Sequence, residues 1–274
     1  MSIALDTEPT LVRFRDRLAQ FRRGTGDADD WERQWQRRDV AAWLASHADG
    51  RLGPLEPMAS ALPRDGKILE AGCGVGQVVV ALRARGFDAE GVDYAHRTIE
   101  RIRIARPDLP VRQGDVYALD VPDGHYAGYV SIGVFEHHPD GPTGGLREAR
   151  RVLRHGGIAI ITVPMLNAAR RRRLASAPAV ERTELEDGRR FYQFYLEANE
   201  LAETARTVGL EPIAHHAYGT FAGLTRDLAL GRFLEARHFF SWRLRDQVLR
   251  LSRRLPQPIA RRYAHMLMLI CRAA

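Results

Sequence analysis

The chain has 274 residues, enough to bury a sizeable core and better suited to one elaborated domain than to two complete ones. Its residues are 45% hydrophobic and 27% charged, ordinary for a globular protein, and no stretch approaches the ~20 apolar residues that span a bilayer. The net charge is +7, yet Lys67 is the only lysine among 41 basic residues. Such an arginine bias follows from GC-rich coding as readily as from a polyanionic partner, so the charge alone does not establish nucleic-acid binding. The start, MSIALDTEPTLVRFRDR, lacks a signal-peptide core, and the expectation is a cytoplasmic protein.

The first sixty residues read as amphipathic helices. Leu11, Phe14, Leu18 and Phe21 follow i, i+3, i+4 spacing, and a second run carries Trp31, Trp35, Val40, Trp43 and Leu44. Gly24 to Asp30 breaks the two, with Asp30 as N-cap of the second, and Pro54, Pro57 and Pro63 mark turns. From Lys67 the pattern alternates. KILEAG is a strand, VGQVVVALRARG a helix ending at Gly86, FDAEGVDY a strand, and HRTIERIRIA a helix stopped by Pro107. LPVRQGD and YAGYVSIGV are the third and fourth strands. LREARRVLRHGG is a helix with Gly156 and Gly157 as terminator, and IAIITVP is the fifth strand. Asn167 to Arg190 reads as an arginine-rich loop or short helix; LEANELAETARTVG is a helix ending at Gly209. LEPIAHHAYG and AHMLMLICRA are the sixth and seventh strands, separated by a basic helical insertion from about Thr225 to Arg262. Strands alternating with helices of this length indicate βαβ units and a parallel sheet.

The sharpest local signal is Glu70-Ala-Gly72-Cys73-Gly74-Val-Gly76-Gln77 at the end of the first strand. Glycines there let a nucleotide-like ligand approach the backbone. Gln77 stands where a dinucleotide fingerprint would need its third glycine, which disfavours a nicotinamide dehydrogenase. Cys73, between two glycines, is a space filler, since no setting that would lower a thiol pKa is evident. Cys73 and Cys271 suggest neither a disulfide framework nor a zinc set. No G-x-S-x-G or P-loop occurs.

The alternating G-x-G-x-G with an acid two positions before it resembles motif I of the class I SAM-dependent methyltransferases. Asp93 in EGVDY, Asp115 in QGDVYAL, SIGVFEHHPD after the fourth strand and RVLRHGG before the fifth extend the likeness from about Lys67 to Gly219, within the methyltransferase type 11, UbiG-like small-molecule branch. The resemblance implies S-adenosylmethionine (SAM) as cofactor. It also implies a Rossmann-like, mostly parallel seven-stranded α/β sheet of order 3-2-1-4-5-7-6, with the last strand antiparallel and helices on both faces. The domain reading is an N-terminal helical extension over 1–64, a cofactor-binding core over 65–220, an insertion or lid over 221–262 and a final core strand over 263–274.

By the same resemblance, Glu70 stands near the methionine moiety and Gly72, Cys73, Gly74 and Gly76 line the cofactor. Asp93 holds the ribose, with Tyr94 beside it also at the cofactor, Asp115 and the Val116 amide the adenine, and Ile132 and Gly133 the amino-acid end. The sulfonium already activates the methyl group, so the protein must align acceptor, methyl and sulfur and exclude water. For a hydroxyl acceptor a general base helps, and His137 is the candidate, with a loop-holding role as the alternative. Glu136, His137, His138 and Asp140 lack metal-ligand spacing, and no metal is expected.

Trp35, Tyr192 and Tyr195 are candidate acceptor contacts, with core packing as the competing reading. The basic insertion over 225–262 is read as a lid, an anionic-membrane contact or a partner interface. The functional reading is methyl transfer to a small-molecule or lipid-like acceptor, at oxygen first, with nitrogen or carbon as the other candidate atoms. The alternatives are an RNA or other nucleic-acid methyltransferase, weakened by the absence of a Pro-Pro-aromatic motif after the fourth strand, and a non-catalytic SAM-binding protein.

Overall fold

The computed structural model describes residues 10–24, 28–36, 38–227, 258 and 262–274. Most of the predicted insertion, 228–257, therefore lies outside the described residues, and so does the reading placed on it.

The core is a seven-stranded sheet. In spatial order it runs β5 (Val111–Gln113), β4 (Ala89–Asp93), β3 (Ile68–Ala71), β6 (Tyr126–Ile132), β7 (Leu153–Pro164), β11 (Met266–Ala273) and β10 (Leu210–Tyr218). Numbered within the sheet this is 3-2-1-4-5-7-6, as expected, and β11 alone runs antiparallel to its neighbours. Parallel central strands need both faces covered, which explains why β3 is buried at all four positions and β6 at all but its last. Ile68, Val130 and Ile160 turn to one face, against α2 (Val40–Ala45), α3 (Glu56–Ala61), α4 (Gln77–Ala84) and α5 (His96–Ala105). Leu69, Tyr129 and Ile161 turn to the other, against α6 (Thr143–Val152) and α8 (Ala198–Thr207).

The N-terminal expectation is corrected. Residues 10–22 form a β-hairpin, β1 (Thr10–Phe14) and β2 (Arg17–Arg22), not a helix. Arg15 and Asp16 both take positive φ, 49° and 61°, the two-residue turn whose twist matches antiparallel strands. Val12, Phe14, Ala19 and Phe21 pack into the core, a period of two that coexists with the helical spacing of Leu11, Phe14, Leu18 and Phe21. The hairpin joins β8 (Ala179–Val180) and β9 (Arg190–Tyr195) in a second sheet of order β8-β1-β2-β9. The arginine-rich stretch thus includes a helix, α7 (Ala168–Ser176), capped by the Asn167 side chain, and then strands. Within this sheet Phe14 stacks on Phe194 with centroids 5.9 Å apart, and both rings share one buried cluster with Leu69, Tyr129 and Ile161 of the seven-stranded sheet.

Two further boundaries move. The second predicted helix is two, α1 (Ala28–Gln36) and α2. Asp30 lies inside α1, and the N-cap is Asp39, which accepts the Ala42 amide at 3.1 Å. The helix expected to end at Gly156 ends at Val152, because Leu153 pairs with Tyr126 and begins β7.

Candidate functional site

The carboxyl ends of β3, β4 and β6 open on one cavity of about 1240 Å³. At its floor the loop after β3 turns through Gly72, Gly74 and Gly76 with φ of 81°, 51° and 78°, conformations that any Cβ would strain. A Cβ on Gly72 would collide with Cγ2 of Val134, and one on Gly74 would stand 2.8 Å from Cζ2 of Trp35. The loop is therefore held between the turn after β6 and a helix from the N-terminal region, with its backbone bare toward the cavity.

Two buried carboxylates fix the loop. Asp93 accepts the Gly74 amide at 2.8 Å through Oδ2 and the Ala95 amide at 2.9 Å through Oδ1. Glu70 accepts the Val79 amide at 3.0 Å, satisfying a free donor in the first turn of α4. Burial pushes both carboxyls above their ordinary values despite these bonds. The Cys73 thiol is pushed up by burial and by the neighbouring Asp93 and Glu70, which fits the space-filling reading. Tyr94, Asp115, Val116, Ile132 and Gly133 line the same cavity. One oxygen of exposed Asp115 accepts the Tyr117 amide at 2.9 Å. Two carboxylates, a bare glycine turn and a cavity this large fit the ribose, adenine and amino-acid ends that SAM would present.

Beyond Gly133 a single 3₁₀ turn, Phe135–His137, brings Glu136 and His137 to the cavity side by side. The Nδ1–H of His137 donates to the Tyr192 carbonyl at 2.7 Å, since a carbonyl can only accept, leaving the lone pair on Nε2. Nε2 lies 3.7 Å from Oε1 of Glu136. The ring stands edge-on to Trp31 at 4.8 Å and 4.7 Å from the Tyr192 ring. Burial pushes His137 down to about 4 and Glu136 up to about 8, so at neutral pH the imidazole is neutral and the carboxyl mostly protonated. Oε2 of Glu136 is buried without a hydrogen-bond partner.

Helix α1 spans the site. Trp31 faces His137 and Tyr192 while Trp35, one turn on, lies against Gly74, so Trp35 belongs to the glycine-loop end of the cavity. Between them Glu32 reaches the start of α5, accepting the Arg97 amide at 2.6 Å and the Thr98 hydroxyl at 3.1 Å. Arg101 of α5 donates to the Trp35 carbonyl at 3.1 Å. Of the two tyrosines expected at the acceptor, Tyr192 carries Arg22 over its ring at 3.5 Å. Tyr195 donates to Gln20 at 2.7 Å and packs under the buried guanidinium of Arg170 at 4.3 Å. Arg170 is paired with Asp227 at 3.0 Å, whose other oxygen accepts from Asn167 at 2.6 Å.

Trp31, Arg22, Glu136 and Arg170 also line the cavity, beyond the residues expected there. Trp31 was visible as one aromatic in a helical run, but Arg170 is one of four consecutive arginines and nothing local distinguishes it. Among the described residues no His, Cys, Asp and Glu cluster suited to a metal occurs, and no helix is long and apolar enough to cross a membrane.

A family model described as a methyltransferase domain matches residues 44–215. A probable SAM-dependent methyltransferase from Mycolicibacterium smegmatis is 31% identical over 173 residues, covering 62% of this chain and 59% of that protein. The ubiquinone biosynthesis O-methyltransferase of Bordetella avium is 26% identical over 170 residues, 59% of this chain and 68% of that one. In solved structures, the putative methyltransferase in a complex with the Trm112 activator of Haloferax volcanii is 16% identical, covers 89% of this chain and 95% of its own, and superposes with a TM-score of 0.56. That last likeness is one of fold.

Proposed function

This chain belongs to the SAM-dependent methyltransferase family, with SAM as its cofactor, and from that premise we propose that it moves a methyl group to an oxygen of a small-molecule or lipid-like acceptor. The observation that carries the reading is the continuity of one cavity from the glycine loop to the box of Trp31, Tyr192 and His137. At about 1240 Å³ it exceeds what one drug-sized ligand fills, leaving room for a second beside the cofactor. The relative from Bordetella is by name an O-methyltransferase, which supports oxygen as the accepting atom.

When bound, SAM supplies an electrophilic methyl group. The chain's own residues position, dry and accept. Glu70 and Asp93 hold the loop on which the cofactor rests. Asp93 and Asp115 keep oxygen lone pairs for ribose and adenine donors. Trp31 and Tyr192 offer aromatic surface to a flat or lipid-like acceptor and displace water around it. Nε2 of His137, its tautomer set by Tyr192, accepts the hydrogen bond of the incoming hydroxyl and aims its lone pair. With a pKa near 4 the imidazole orients that hydroxyl better than it deprotonates it.

The test is transfer of labelled methyl from SAM to phenolic probes, a short-chain prenylated catechol among them, with the product identified as a methyl ether. Asp93→Ala should abolish both transfer and SAM binding. Label found only in nucleic acid or in amines, with the phenols untouched, overturns the oxygen reading.

A further inference from the structure

Glu136 is 2% exposed and sits on a one-turn helix between two contacts. On one side Val134 packs against Gly72 of the glycine loop, and a Cβ placed on Gly133 would stand 3.4 Å from Oε1 of Glu136. On the other, His137 meets Trp31 and Tyr192. The carboxyl therefore stands where the cofactor end of the cavity meets the acceptor end. Its titratable neighbours are His137 on its own turn and Tyr117, Tyr192 and Tyr218 from three other segments. Among the described residues no arginine or lysine pairs with it, and Oε2 has no partner at all. A buried acid of this kind stays protonated until a positive charge arrives.

Resting on the methyl-transfer reading, we propose that Glu136 is a catalytic residue: the carboxylate that takes the acceptor's proton, brought to its anionic form by the sulfonium charge of the bound cofactor. The balance closes. The acceptor O–H proton, hydrogen-bonded to Nε2 of His137, passes by way of that nitrogen to Oε1 of Glu136, 3.7 Å from it; an oxygen lone pair forms the new O–C bond, and the S–C pair remains on sulfur. Carboxylate and sulfonium disappear together, leaving a neutral acid beside a neutral thioether. S-adenosylhomocysteine lacks the sulfonium but keeps the ammonium, carboxylate, ribose and adenine, so it should leave Glu136 protonated. Glu70 and Asp93 meet the same groups in both ligands, and their responses cancel in the comparison.

Calorimetric titration in buffers of different ionisation enthalpy measures this without any acceptor. At pH 7, where Glu136 is mostly protonated, SAM should release most of one proton more from the wild-type chain than S-adenosylhomocysteine does. Glu136→Gln should abolish this excess while keeping SAM affinity within a few-fold, and His137→Gln should retain it. In transfer to the catechol probe, Glu136→Gln should lower kcat by about 10²–10⁴. Equal proton release with both ligands, or an excess for SAM that survives in Glu136→Gln, overturns the proposal. A failure of the oxygen reading appears separately, as the absence of methyl ether.

Discussion

The side chain of His137 and the backbone of Tyr192 are joined by a 2.7 Å hydrogen bond across 55 residues of sequence, tying the turn after β6 to a strand of the second sheet. The bond settles which imidazole nitrogen faces the cavity. It also makes the acceptor end a composite of core and second sheet, so the orienting nitrogen holds its place only while β9 does.

His137→Ala removes that tie and the Nε2 acceptor together. Its expected signature is a raised KM for the acceptor and a kcat lowered by about tenfold, less than for Glu136→Gln, with SAM affinity little changed. Steady-state kinetics with varied acceptor at saturating SAM check it. A kcat loss equal to that of Glu136→Gln would make the imidazole the proton acceptor.

Trp31 and Trp35 lie one turn apart on α1 and stack with centroids 6.4 Å apart, Trp31 toward His137 and Trp35 toward Gly74. Trp31→Ala should raise the acceptor KM several-fold and shift the SAM Kd less than Trp35→Ala does. Trp35→Ala should weaken SAM, because it uncovers Gly74 and lets water reach the loop. Calorimetry with SAM and acceptor kinetics on the same two variants separate these effects. A Trp31→Ala variant that loses SAM affinity as strongly as Trp35→Ala contradicts the division.

Glu32 caps α5 from another helix, satisfying a first-turn amide and the Thr98 hydroxyl. Glu32→Ala leaves both unpaired and should cost about 1–2 kcal/mol, read as a lowered denaturation midpoint. Since α1 carries both tryptophans, the SAM Kd should rise with it. Glu32→Gln keeps an acceptor oxygen and should recover much of the affinity. Loss of stability with unchanged SAM affinity would show that α1 is not held over the site through this cap.

The core was legible because its signals agree at every level: apolar runs four to seven residues long, helices punctuated by Gly86 and Pro107, and a glycine loop whose spacing leaves few folds. The second sheet was not, because residues 11–21 satisfy two periods at once and their turn is Arg15-Asp16, with no Asn-Gly pair to mark it. Its partner strand β9 lies 168 residues further on, and strand pairing at that distance leaves no local trace. Glu136 escaped for a different reason. Adjacent residues diverge on a strand, but a 3₁₀ turn at the rim of a cavity lets both reach it.

The buried pair also sets the stability of the ligand-free chain against pH. Glu136 titrates near 8 in the fold and near 4.5 when unfolded. Between those values the folded state keeps a proton that the unfolded state has lost, so stability falls as pH rises from about 5 to about 8. His137 works in the opposite sense, near 4 folded against 6.5 unfolded. There the unfolded state binds the extra proton, and stability falls as pH drops from about 6.5 to about 4. Glu136→Gln imitates the protonated acid, so its melting temperature should match wild type near pH 5 and exceed it by a few degrees near pH 8. Thermal melts of both proteins at intervals between these limits measure the divergence. A difference in Tm that stays constant from pH 5 to pH 8 would mean that Glu136 does not titrate in this range.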